Sequence, residues 1–123
     1  MTDSTKQRGD RGEDIAAEYV RSLGWTVVER GARFRVGELD IIAEDGKWLV
    51  FVEVRSLWRI TTVRPEDSIT RPKQRKLTLA ARLYLARYRG RCPYARFDVV
   101  AVDRRREVVS AHYRAAFEAV GGS

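Results

Sequence analysis

The chain has 123 residues, 44% of them apolar, which suits one ordinary domain built on one hydrophobic core. No stretch approaches the roughly 20 uninterrupted apolar residues of a membrane helix, Met1 to Asp10 holds no apolar secretory segment, and the one cysteine, Cys92, excludes an internal disulfide, so a protein of the reducing cytoplasm is expected. A net charge of +7 and a pI near 10.1 point to a polyanionic partner, nucleic acid ahead of a membrane surface.

A single domain over 1–123 is expected, with residues 1–8 as a flexible tail. From Gly9 to Leu23, the apolar residues Ile15, Ala16, Tyr19, Val20 and Leu23 fall on one helix face, and Gly24 suits the stop. Trp25 to Glu29 is rich in strand formers. After Gly37, Glu38 to Ala43 reads as a second strand, and Glu44-Asp45-Gly46-Lys47 as a hairpin turn centred on Asp45-Gly46. Trp48 to Arg55 is almost continuously apolar, which predicts a central strand. Residues 56–70 read as a loop. Arg71 to Arg89 predicts a second helix, with Leu77, Ala80, Ala81, Tyr84, Leu85 and Tyr88 on its apolar face and Gly90 at its end. Arg96 to Asp103 is a fourth strand, Glu107 to Ser110 a short fifth, and Tyr113 to Val120 a closing helix. The order α-β-β-β-α-β predicts an α/β fold with helices packed on a mixed sheet.

Strand residues two apart share a face. Glu38 and Asp40 then point one way, Leu39 and Ile41 the other. In the next strand Leu49, Phe51, Glu53 and Arg55 share a face. A hairpin through the Asp-Gly turn sets Asp40 opposite Glu53. Two like charges at one point are costly unless neutralised, and a divalent cation such as Mg²⁺ takes such oxygen ligands. Glu13, early in the first helix, could add a third carboxylate, and Arg55 could stabilise charge on a phosphate. The plainer reading stays open: Glu38 and Asp40 as solvent-facing edge residues, and Glu53 as a salt-bridge partner. Against it, a charge after Leu49-Val50-Phe51-Val52 is expensive without a partner.

Gly37-Glu38-Leu39-Asp40-Ile41-Ile42-Ala43 followed by Val50-Phe51-Val52-Glu53-Val54-Arg55 resembles the signature of the YraN-like family of uncharacterised proteins. That family is similar in turn to Holliday-junction resolvases and the PD-(D/E)xK nuclease superfamily. The likeness extends to Arg11-Gly12-Glu13 in the first helix, Lys73 to Leu77 in the second, and Arg96-Phe97-Asp98-Val99-Val100 in the fourth strand. The resemblance implies a restriction-endonuclease-like αβββαβ core. It implies that Asp40 and Glu53 correspond to the superfamily's metal-binding acids and Glu13 to the helical acid of resolvases. Arg55 stands where the superfamily usually has Lys; it keeps the charge but cannot act as a base.

These observations make a Mg²⁺- or Mn²⁺-dependent endonuclease for structured or branched DNA the leading expectation. Asp40, Glu53 and the Val54 carbonyl would hold the metal, Glu13 or Glu38 would complete its shell, and Arg55 would act on the phosphate. Residues 58–91 hold ten basic and two acidic side chains, so Arg71, Lys73, Arg75 and Lys76 are expected to grip phosphates, against a merely solvated helix face, with Gln74 as a candidate support of the site and Trp58 either stacking on a base or packing under the loop. DNA is favoured over RNA, and by analogy a homodimer would suit cutting a two-stranded junction. A non-catalytic nucleic-acid-binding module and a protein–protein adaptor are the alternatives. Asp98 reads as a structural salt-bridge partner, and His112, without zinc-type companions, as incidental.

Overall fold

A computed structural model describes residues 4–59 and 69–120 of the chain. The order is α1 (Ser4–Ser22), β1 (Thr26–Phe34), β2 (Gly37–Asp45), β3 (Trp48–Leu57), α2 (Arg71–Arg87), β4 (Tyr94–Asp103) and β5 (Val108–Phe117). The sheet follows chain order from β1 to β5. β1, β2 and β3 form an antiparallel meander, α2 crosses over so that β4 lies parallel to β3, and β5 returns antiparallel to β4. This mixed sheet between two helices is the expected α/β, restriction-endonuclease-like arrangement.

Alternation along the central strands splits the core in two. Leu49 and Phe51 of β3, with Phe97 and Val99 of β4, pack under Leu77, Ala80, Ala81 and Tyr84 of α2. Val50, Val52, Val100 and Val102 pack against Ala16, Ala17 and Val20 of α1 on the other face. That two-sided burial is why the β3 sequence is apolar throughout rather than alternating. Each fully buried Val or Ile here contributes about 1.5–3 kcal/mol relative to exposure.

Several boundaries differ from the sequence reading. Helix α1 begins at Ser4, well before Gly9; Lys6, Gln7 and Arg8 are good helix formers that carry it through Gly9. Residues 1–3 of the expected tail, and 60–68 of the expected loop, lie outside the described residues. The β2–β3 turn centres on Gly46-Lys47, because Asp45 pairs with Trp48, and Gly46 supplies the positive φ of 59°. Helix α2 stops at Arg87, where Tyr88 turns extended and gives its hydroxyl hydrogen to Glu44 Oε2 at 2.6 Å.

The largest correction is at the C-terminus. Val108–Phe117 is one long edge strand, with no closing helix. The apolar spacing of Tyr113, Ala116 and Phe117 serves a bent strand instead. Its pairing shifts at Phe97/Val99 and Ala101/Val102, and Ala115, at φ 48°, donates its N–H to buried Asp98 Oδ1 at 3.0 Å.

Candidate functional site

The β2–β3 register runs from Asp45↔Trp48 to Ile41↔Val52, and one further step sets Asp40 across from Glu53. The backbone ladder ends there. Asp40 Oδ2 instead accepts the N–H of Val54 at 2.9 Å, so a side chain takes the place of a strand carbonyl. The expectation that Leu39 and Ile41 share a face fails at this point: Leu39 joins the α2-side core and Ile41 the α1-side core. Gly31 on neighbouring β1, at φ 61°, lies within the same stretch, between Arg30↔Ile41 and Ala32↔Leu39. Asp40 sits at the break in alternation and reaches acids from both layers.

On the α2 side Asp40 hydrogen-bonds the carboxyl of Glu53, which is only 6% exposed. Burial pushes the Asp40 carboxyl up, the hydrogen bond and like charge of Glu53 push it further, and the Val54 N–H and Lys73 charge oppose, leaving it at about 8. Below that pH the folded Asp40 carboxyl keeps its proton. A crevice of about 10 Å³, lined by Leu39, Asp40, Phe51, Val52, Glu53, Leu77 and Phe97, is the size of about one water-sized sphere. On the α1 side, carboxylate oxygens of Glu13, Glu38 and Asp40 all lie within 4.8 Å of one another.

Cations frame these acids. Lys73 Nζ lies 3.4 Å from Glu53 Oε2, carried there by the first turn of α2, whose N-cap Thr70 accepts the Lys73 N–H. Arg30 of β1 binds Glu13 Oε1 at 2.8 Å and Asp14 Oδ1 at 2.6 Å, and Arg33 meets Glu38 at 3.3 Å. Arg30 has no motif around it and was not legible as a site residue.

The expected residues therefore divide. Asp40 meets Glu53 and Val54 on one side and Glu13 and Glu38 on the other, and Lys73 joins Glu53 as a counter-ion. Arg55 is half-buried, follows Glu53 by two on β3, and pairs with no acid among the described residues. Gln74 Nε2 donates to the Ile69 carbonyl at 3.0 Å. Arg71, Arg75 and Lys76 are exposed on the first turns of α2. Trp58 lies just past the end of β3, 55% exposed.

Asp98 is the structural partner expected. It is fully buried and accepts from Arg96 Nε at 2.9 Å, His112 Nε2 at 2.8 Å and the Ala115 N–H. Arg96 continues to Asp45 at 3.0 Å. His112 is not incidental: its Nδ1 lies 2.9 Å from the Tyr19 hydroxyl, so it ties α1 to β4. A lone histidine in sequence carries no signal for such a role.

The fold and its clustered acids define an α/β protein with the restriction-endonuclease-like order of elements. Residues 12–102 match the model of the Uncharacterised protein family UPF0102, and the chain belongs to that family. It is 43% identical over 99 residues to a UPF0102 protein of Symbiobacterium thermophilum, covering 80% of this chain and 84% of that one. It is 40% identical over 122 residues to a UPF0102 protein of Syntrophotalea carbinolica, covering 98% and 99%. A third, from Geotalea uraniireducens, is 42% identical over 115 residues, covering 92% and 91%. The YraN-like resemblance of the paired strand motifs agrees with this membership. No helix among the described residues is long and apolar enough to cross a membrane.

Proposed function

We propose that the protein is a Mg²⁺- or Mn²⁺-dependent endonuclease for structured or branched DNA. The observation that carries this reading is the Asp40–Glu53 pair: two carboxyl groups forced together, one of them nearly buried, and one held protonated up to about pH 8. Such a pair is costly for the fold. Its all-oxygen donor set suits a hard divalent cation, and Glu13 and Glu38 each have a carboxylate oxygen within 4.8 Å of one on Asp40. Asp40, Glu53 and the Val54 carbonyl would hold the cation, with Glu38 or Glu13 completing the shell. A cation bound there would acidify water and neutralise the scissile phosphate. Val54 N–H fixes the Asp40 carboxylate. Arg55, always protonated, can grip a phosphate in two-pronged fashion but cannot take a proton. Exposed Arg71, Arg75 and Lys76 would hold the backbone. DNA is favoured over RNA, and a twofold dimer would suit a junction substrate.

The test is cleavage of labelled linear duplex, flap, four-way junction, single strand and RNA with Mn²⁺, Mg²⁺ or EDTA, with Asp40→Ala and Glu53→Ala alongside. Metal-dependent cleavage that disappears in both variants is expected. A second reading, a nucleic-acid-binding module without catalysis, is favoured by Arg55 in place of Lys. It predicts binding that survives loss of both acids, with no cleavage of any substrate.

A further inference from the structure

Beyond the carboxylates, β3 and β4 end side by side, with Leu57 level with Asp103. The ladder is extended one step by the Arg104 N–H on the Leu57 carbonyl at 2.8 Å. Trp58 follows, more than half exposed. The Arg104 guanidinium sits 4.8 Å over its ring and steadies one face, as a cation over an indole does. Asp103 Oδ1 accepts the N–H of Arg105 at 3.0 Å and of Arg106 at 3.1 Å, so the turn presenting these two exposed arginines is fixed by its own side chain. The acid that follows this turn, Glu107, is engaged by Arg11 at 3.1 Å. Glu53 is four residues before Leu57, about 13 Å along the strand, or about four base-pair steps of B-DNA.

We propose that Trp58 and the Arg104–Arg106 turn form a platform that stacks an unpaired nucleotide and grips its phosphates, on the same end of the sheet as the carboxylate pair. The choice of ligand follows from the chemistry. Arginines alone would accept any polyanion, but an exposed indole held in place offers a π-face, which a base can use and an acidic peptide cannot. Bases inside a duplex are already stacked on both sides, so the platform favours a flap, branch or single strand. This rests on the nucleic-acid partner proposed above and narrows it to a strand with unpaired bases.

The experiment is equilibrium binding of the full chain, in EDTA, to a fluorescent single strand and to the blunt duplex of the same sequence, at about 50 to 200 mM salt. Trp58→Ala should weaken single-strand binding by about five- to a hundredfold, Trp58→Phe should keep most of it, and the duplex should change far less. Arg105→Ala with Arg106→Ala should lower the salt slope on single strands by about 1.4. Unchanged single-strand binding by Trp58→Ala, an equal loss on both substrates, or an unchanged slope overturns the platform. Displacement of the single strand by polyglutamate as readily as by unlabelled oligonucleotide does so too. Trp58-dependent binding without metal-dependent cleavage leaves the platform standing and overturns the nuclease reading. Absence of any binding at low salt removes both.

Discussion

Lys73 Nζ stands 3.4 Å from Glu53 Oε2, reaching the buried acid from the first turn of α2. It lowers the cost of the carboxyl pair and competes with any cation that would sit there. Replacing it with Met should tighten Mn²⁺ binding by about two- to fivefold, the worth of a half-exposed ion pair, while cleavage falls. Calorimetric titration checks this; weaker Mn²⁺ binding in Lys73→Met would mean the lysine helps to build the metal site.

Metal binding should be coupled to a proton. Asp40 is raised from the ordinary 3.8 to about 8, first by burial and then by Glu53, and its proton must leave before both carboxylates accept a cation. Mn²⁺ affinity should therefore climb from pH 6 toward pH 8 and level off above it, with proton release on binding. Titrations in buffers of different ionisation enthalpy measure that release. A flat affinity across this range contradicts a protonated Asp40 at neutral pH.

The same shift sets a stability trend. The folded chain holds the Asp40 proton at pH values where the unfolded chain has lost it. This contribution is full at low pH and is lost as pH rises from the ordinary 3.8 through about 8. The metal-free protein should melt lower at pH 9 than at pH 7, and Mn²⁺ should reverse the difference. A melting temperature that rises over this interval without metal would contradict it.

Above about pH 8, where Asp40 is ionised, Glu53→Gln removes one of two like charges from a nearly buried pair, so the metal-free protein should gain about 0.5–2 kcal/mol as binding of Mn²⁺ is lost. Urea unfolding measures the gain. A clear loss of stability instead would mark Glu53 as a structural partner of Lys73.

The Asp98 network should behave in the opposite way. Burial alone would push Asp98 up, but His112, Arg96 and the Ala115 N–H outweigh it and hold its pKa below the ordinary value. Its contribution is present above the usual carboxylate pKa of about 3.9 and is lost as pH falls through the depressed folded value. Asp98→Ala leaves Arg96 and His112 without their buried partner and should cost about 3–5 kcal/mol, read by urea unfolding near pH 7. A cost under about 1 kcal/mol would show that water replaces the carboxylate.

Much of this was written in local pattern. The two-sided apolar run of β3, the Asp-Gly hairpin and the 3.6-residue period of α2 settle the layers, because burial and turn chemistry act over a few residues. The hairpin register alone sets Asp40 opposite Glu53, and the paired motifs carry the family. Other features needed the tertiary structure. The break in β2 that lets Asp40 touch both layers has no sequence signature, since Leu39 and Ile41 look alike in a list. Lys73 reaches Glu53 from 20 positions away because the crossover delivers the start of α2 there. Arg30, His112 and the Trp58–Arg104 pair likewise meet their partners across separate strands or helices. The bent β5 read as a helix because its path is fixed by buried Asp98, a long-range hydrogen bond that overrides local spacing. Sequence thus decided most of the buried set, though Leu23 and Leu85 on the expected apolar helix faces stay exposed. Only the packing of distant segments decided which charges meet, because electrostatic partners are chosen by distance in space rather than along the chain.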